Sequence, residues 1–305
     1  MRSIFNNVEL ISRRVARPPV AVEIAANGVL AAALPAIGQD PVHAFESLPP
    51  EILVPGIAEP NLRSQAPVVA AIRSTLNQVC SHSQAVTLVI PDLSVRVFLL
   101  DFDSLPRDDA AALTILRFRL RKVVPFDLEH ARLSYQVLSK DDSGCKVLVA
   151  VIPGPILEEY EAAVRAAEYE PGAVLSSGLA ALAALNSHEP ELTACLGDRS
   201  LTTSITRGNE LLLYRTRDLA LDPALRLAEA KRDIAVASAY FEDKLTSRPQ
   251  RLFYTGITST EEFARAVAGP GMKVIDLAPR PQTGSAIPLA NPAFPAVAGA
   301  LAGAR

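Results

Sequence analysis

Residues Val20 to Leu34 read VAVEIAANGVLAAAL. Val20, Val22 and Ile24 alternate with other residues, the period of a strand with one buried face. Asn27-Gly28 breaks the run, and Val29 to Leu34 returns as a second apolar strand. Asn-Gly is a strong two-residue hairpin signal, because both central positions of the favoured turn take positive φ. The stretch predicts a hairpin with an acid, Glu23, on its first strand. Two roles fit it: a packing element, or a turn that grips a ligand.

The chain around this hairpin has 305 residues, which suits about two domains. Apolar residues make up 49% and charged residues 21%, enough for a large core and against disorder. Trp is absent and aromatics are 5%, so Ala, Leu, Val and Ile must build that core. A net charge of −3 supplies no basic field for nucleic acid. Cys80, Cys145 and Cys195 lie far apart, as do His43, His82, His130 and His188. No metal-ligand spacing links them, so no metal centre is expected, and the thiols suit a reducing compartment. The longest apolar run, Gly172 to Leu185, falls short of the roughly 20 residues a bilayer crossing needs. With no signal peptide at the start, the expected location is the cytoplasm.

Upstream of the hairpin, Ile4, Val8, Ile11 and Val15 recur at helical spacing, and Arg2, Arg13, Arg14 and Arg17 face only Glu9. Residues 1–19 therefore read as a short basic, amphipathic segment suited to a membrane surface or a partner. Downstream, a Pro-rich stretch runs from Leu48 to Pro60, and Val68 to Val79 has helical period. Ala85 to Ile90 is a strand ending at Pro91-Asp92, and Val95 to Leu100 is another. Pro106 is placed to open a helix. Asp108 and Asp109 follow in its first turn, and Arg117, Arg119, Arg121 and Lys122 lie in its last, an order that suits the helix dipole. Pro125 ends it. Strands follow at Ala131 to Leu138 and Lys146 to Ile152, then a helix at Pro155 to Ala167. A second hairpin joins Leu201–Thr206 to Glu210–Arg215, and Asp222-Pro223 caps a long helix. A strand at Arg251 to Tyr254 and a last helix from Ala296 to Arg305 complete the chain. Alternating strands and helices, with a hairpin opening each half, give an α/β chain of two related lobes.

The segment Leu116 to Leu138, LRFRLRKVVPFDLEHARLSYQVL, resembles the PilM family of type IV pilus assembly proteins. Those proteins carry a helix, an "IPF" step and a "DYQVL"-like strand; here stand Val124-Pro125-Phe126 and Ser134-Tyr135-Gln136-Val137-Leu138. Arg251-Leu252-Phe253-Tyr254-Thr255-Gly256 resembles the strand leading to the family's adenosine loop. Phe294 to Ala302 resembles its terminal "A-x-GLA" helix. The resemblance implies an actin-like fold (the sugar kinase, Hsp70 and actin type), shared with the cytoplasmic domain of GspL. On that plan residues 20–84 and 153–190 form the first lobe, 85–152 an inserted subdomain, and 191–305 the second lobe with the C-terminal helix. It also implies a place on the cytoplasmic face of the inner membrane and a partner, the N-terminal peptide of a PilN-like inner-membrane protein. Pilus motor ATPases or the platform protein are further implied partners.

The resemblance also says where a nucleotide would sit, and there the residues depart from the pattern. Actin-like ATPases use acids in both phosphate hairpins to organise magnesium, with small polar residues near the phosphates. Against a family run like "DIGSSSVK" this chain has Glu23-Ile24-Ala25-Ala26-Asn27-Gly28-Val29-Leu30. Aspartate has become glutamate, the serines are gone, and leucine stands near the lysine position. Against "DIGAxxT" it has Cys195-Leu196-Gly197-Asp198-Arg199-Ser200-Leu201, with cysteine at the acidic position. The adenosine loop keeps one glycine, Gly256. Glu23, Asn27, Gly28, Gly197, Asp198, Ser200 and Gly256 thus read as vestiges of a nucleotide site. A non-catalytic scaffold with no ATP or magnesium cofactor is expected; a working ATPase of the same system is the alternative. For partner binding, Arg117, Arg121, Phe126 and Tyr135 are the candidates. The arginines equally answer a helix dipole, and the aromatics equally pack a core.

Overall fold

A computed structural model describes residues 17–34, 42–79, 83–142, 144–185, 187–269, 271–277 and 294–302. The expected amphipathic segment, up to residue 16, and residues 303–305 of the expected C-terminal helix lie outside the described residues.

The first sheet is built from β1 (Val20–Ala25), β2 (Gly28–Ala33), β3 (Val42–Ser47), β4 (Ala85–Ile90) and β8 (Glu170–Ser176), with α1 (Gln65–Val79) between β3 and β4. Its order is β3-β2-β1-β4-β8. The second contains β9 (Pro190–Leu196), β10 (Ser200–Arg207), β11 (Glu210–Asp218), β12 (Arg251–Gly256) and β13 (Lys273–Asp276), in the order β11-β10-β9-β12-β13. Both sheets place an antiparallel three-strand meander beside strands parallel to its first. One topology has been used twice. Between β4 and β8 the chain makes β5 (Arg96–Phe102), α2 (Asp109–Leu120), β6 (Ala131–Asp141) and β7 (Gly144–Pro153), a three-stranded sheet of order β5-β7-β6. Then come α3 (Gly154–Ala166) and α4 (Ser177–Leu182); α5 (Pro223–Leu245), α6 (Thr260–Val267) and α7 (Phe294–Ala302) follow in the second half.

Alternation along β1 sorts the first lobe's core. Val22 and Ile24 face α1 and α3, where Ile72, Leu76, Ile156 and Tyr160 are buried. Ala21 faces the other way, onto α4 and α7. The second lobe has its own core, in which Leu192, Ala194, Ile234, Phe241 and Phe263 meet. Tyr254 stacks on Phe263, ring centroids 4.0 Å apart.

Four sequence expectations are corrected. First, Ala85–Ile90 belongs to the first sheet, paired with β1 and β8, so the inserted sheet begins at Arg96 and not at residue 85. Second, the C-terminal helix packs on the first lobe. Ala296, Val297, Ala300 and Leu301 fill a pocket made by Ala21, Leu30, Ala32, Val89, Ala180 and Ala181. A helix apolar all round needs such a slot, and Gly299 lets it approach: a Cβ there would overlap the Ala180 carbonyl. Third, the first hairpin turns at Ala26-Asn27, since Ala25 pairs with Gly28, and neither Asn27 nor Gly28 has positive φ. Gly28 is needed for a different reason. The neighbouring strand β3 lies so close that a Cβ would be 2.5 Å from the Phe45 ring and 2.6 Å from the Glu46 carbonyl oxygen. Fourth, α2 starts at Asp109 and not Pro106; the Asp108 side chain caps it by accepting from the Ala111 N–H at 2.8 Å.

Candidate functional site between the lobes

β1 and β9 occupy equivalent places in the two sheets, so the turns that follow them arrive at the same crevice, beyond the carboxyl ends of the parallel strands. Ligand sites of open α/β sheets form there. The crevice is a cleft of about 480 Å³. Ala25, Ala26 and Asn27 line it from the first turn; Gly197, Asp198, Arg199 and Ser200 line it from the second. Thr255 and Gly256 close the end of β12, and Leu48, Leu53, Val54 and Pro55 form an apolar wall. Six of the seven residues matched to nucleotide loops, Glu23 among them, therefore line one cleft; Gly28 instead serves strand packing.

The apolar wall is held by Asn61, which is fully buried. Its carbonyl oxygen accepts from the Gly56 N–H (2.9 Å), the Ser94 hydroxyl (2.7 Å) and the Tyr160 hydroxyl (3.0 Å). Its amide donates to the Gly56 and Glu59 carbonyls, both at 3.0 Å. Glu159 on α3 accepts from the Asn61 and Leu62 N–H groups at 2.8 and 2.9 Å. Every polar atom of the buried amide is satisfied, so the wall is fixed in place.

Two acids lie at the floor. Glu23 is 5% exposed, and its Oε2 has no hydrogen-bond partner among the described residues. Burial, and then the charge of Asp92, push its carboxyl well above the usual range. Asp92 sits in the short 3-10 turn after β4 and accepts from both lobes. The Gly178 N–H reaches its two oxygens at 2.9 and 3.1 Å; the Thr202 hydroxyl donates at 2.7 Å and the Tyr214 hydroxyl at 3.1 Å. Gly178 belongs to the first lobe, Thr202 and Tyr214 to the second sheet, so Asp92 latches one lobe to the other. A Cβ on Gly178 would come within 2.6 Å of Asp92 and of the Tyr214 hydroxyl, so glycine makes the latch possible. Burial raises the Asp92 carboxyl too, against the pull of its donors. Cys195, between the acids, has its thiol pushed up by burial and by both carboxyls.

This donor set does not fit magnesium and a phosphate chain. Magnesium takes carboxylate and water oxygens, whereas Asp92 is engaged by its three donors and Cys195, which lines the cleft from the second sheet, is no oxygen ligand. Asp198, at the tip of the second turn, is held by Arg226 of α5, which donates to its carbonyl (2.5 Å) and carboxylate (3.3 Å). Ala25 and Ala26 offer no hydroxyl, and Leu30 is buried in the core. Arg199 brings a cation to the cleft, but on the second turn and among Asp198 and Glu51.

Glu23 gives a test of this electrostatic picture. A carboxyl raised in the fold adds stability that is complete below its unfolded pKa and is lost as pH rises through the folded one. Glu23→Gln should therefore raise the unfolding midpoint by a few degrees at pH 8 and change little at pH 5, read by scanning calorimetry. Equal shifts at the two values would refute the assignment.

The partner-binding candidates are scattered. Arg117 is turned inward and donates to the Leu128 carbonyl and, at 3.2 Å, to that of Ala131; it braces the loop after α2 and is not a free surface cation. Phe126 and Tyr135 pack against the core of the inserted module, beside Leu116, Leu120 and Val149. The Tyr135 hydroxyl donates to Asp109 at 2.7 Å, and burial with that carboxylate pushes the phenol up to about 12. Arg121 is exposed. Asp92, Thr202 and Tyr214 were missed by sequence reasoning. The available signal was an aspartate directly after a buried strand, at Pro91-Asp92.

No family model matches the chain, and no curated protein is matched by its sequence. Solved structures do match. A PilM-PilN type IV pilus biogenesis complex is similar with a TM-score of 0.76 at 17% identity, over 96% of this chain and 100% of that one. The ethanolamine utilization protein EutJ from Carboxydothermus hydrogenoformans is similar with a TM-score of 0.51 at 10% identity, over 97% and 93%. The cytoplasmic domain of EpsL, an inner membrane component of the type II secretion system of Vibrio cholerae, matches with a TM-score of 0.49 at 14% identity, over 78% and 81%. Among the described residues no helix is long and apolar enough to cross a membrane. The twice-used sheet, the two turns meeting at one cleft and the full-length likeness make this an actin-like fold with a third sheet inserted in its first lobe.

Proposed function

We propose that the chain is a non-catalytic scaffold of a type IV pilus-like or type II secretion-like machine, binding the N-terminal peptide of a PilN-like inner-membrane protein from the cytoplasmic side. The observation that carries this reading is the full-length likeness to a structure solved as a PilM-PilN complex. The cleft supports the non-catalytic part, since its acids and turns do not suit magnesium and phosphate. The inserted sheet supports the peptide-binding part. β6 is an edge strand, paired only with β7 among the described strands, and it touches α3 of the first lobe. Such an edge can accept a peptide as an added strand, with backbone bonds for affinity and alternate side chains for specificity. Pilus motor ATPases or the platform protein are further partners on this reading.

The experiment is a calorimetric titration of the full chain with the N-terminal cytoplasmic peptide of a PilN-like protein. Saturable binding with a Kd on the order of 10 µM is expected. No heat at several hundred micromolar peptide, with the chain folded by circular dichroism, would refute the reading.

A further inference from the structure

The C-terminal end of α2 carries a feature that the scaffold reading leaves unused. Phe118 is 80% exposed and Val123 61%, the two most exposed large apolar side chains among the described residues. Arg119, Arg121 and Lys122 are exposed around them and make no ion pair with a described residue. From Ala110 to Phe126 the sequence holds no Asp or Glu. The display is rigid. Leu116 and Leu120 are fully buried in the module core, Arg117 is tied to the Leu128 and Ala131 carbonyls, and the turn closes through the Val123 N–H to the Leu120 carbonyl at 2.9 Å. Holding an aromatic ring in water on a fixed helix end is unfavourable unless something covers it.

We propose that this tip docks on an anionic membrane surface, with Phe118 and Val123 entering the interfacial layer and Arg119, Arg121 and Lys122 lying among the headgroups. The extent of the patch separates this from protein docking. Two or three apolar side chains at one helix end fall far short of the roughly 800 Å² per partner that a stable protein interface buries. A bilayer needs only an apolar wedge with adjacent cations to give reversible binding. A second copy docking tip to tip would set three cations against their own counterparts, since a two-fold contact is self-paired. The proposal does not depend on the scaffold reading.

The test is co-sedimentation of the full chain with vesicles of phosphatidylglycerol and phosphatidylcholine, and with vesicles of phosphatidylcholine alone. Retention on the anionic vesicles, released by salt as surface electrostatics require, is expected. Phe118→Ser should lower the bound fraction severalfold, while Phe118→Leu keeps most of it. The pair Arg121→Glu and Lys122→Glu should weaken partitioning by about tenfold or more, given about 1 kcal/mol per cation near such a surface. All three positions changed are exposed, and circular dichroism checks that each variant folds. The proposal is overturned if the chain ignores anionic vesicles, or if the variants bind like the parent. It is equally overturned if the chain instead forms a dimer, read by analytical ultracentrifugation, that Phe118→Ser dissolves.

Discussion

Gly299→Val should lower the unfolding midpoint by about 10 °C, the largest loss expected from one substitution. α7 crosses α4 with Gly299 directly over the backbone of Ala180. Any Cβ would overlap the Ala180 carbonyl oxygen and lie 2.8 Å from its carbon and 3.2 Å from the Ala184 nitrogen. These are backbone atoms of α4 and of the turn after it and cannot rotate away as a side chain tip can, so α7 must lift off. Lifting it opens the pocket filled by Val297, Ala300 and Leu301. A misfit of that kind costs roughly 3–4 kcal/mol, and a chain of this size loses about 2–4 °C per kcal/mol. Scanning calorimetry reads the loss, and hydrogen exchange should show α4 and α7 exposed together. A midpoint within 2–3 °C of the parent would mean that α7 is not packed as described.

Asp92→Ala comes second, with an expected loss of about 3 kcal/mol. The carboxylate serves three buried donors, and removal leaves the Gly178 N–H and the Tyr214 hydroxyl without an acceptor. Thr202 keeps its contact to Thr216 at 2.9 Å. Each stranded buried group costs about 1–3 kcal/mol, partly offset because a costly buried acid is also removed. Asp92→Asn keeps one acceptor oxygen without the charge and should lose less than half as much. Because the bonds join the lobes, Asp92→Ala should also speed hydrogen exchange on both sides of the cleft, at β4 and β10, ahead of the lobe cores. Exchange confined to one lobe would contradict the latch.

How far the sequence alone reached depends on the range over which each signal acts. The hairpin at Val20 to Leu34 was legible because strand period and a turn dipeptide are local. The reason for its glycine was not, since that comes from β3 pairing beside it. β3 itself, VHAFES, has no clean alternation because it is an edge strand with Val42 and Phe45 half exposed, and it passed unnoticed. The Arg117 to Lys122 run was read as an answer to the helix dipole or a binding patch. It divides by direction instead: Arg117 points in to carbonyls 11 and 14 residues on, and its neighbours point out. The turns of the candidate site could be placed from the sequence, since each follows a strand whose period is local. Asp92 could not be assigned a role, because its partners lie 86, 110 and 122 residues away. The C-terminal helix was recognised and put on the wrong lobe, since an all-round apolar helix says that it is buried and not against what.

The claim that an actin-like cleft persists here without its magnesium–phosphate chemistry has one direct test. The unfolding midpoint of the full chain is measured by scanning calorimetry with and without millimolar Mg-ATP. A ligand at a hundred times its Kd adds about 2.7 kcal/mol to the folded state, a shift of several degrees in a chain of this size. The account predicts an unmoved midpoint. A magnesium-dependent rise of several degrees, saturating with ATP, would contradict it.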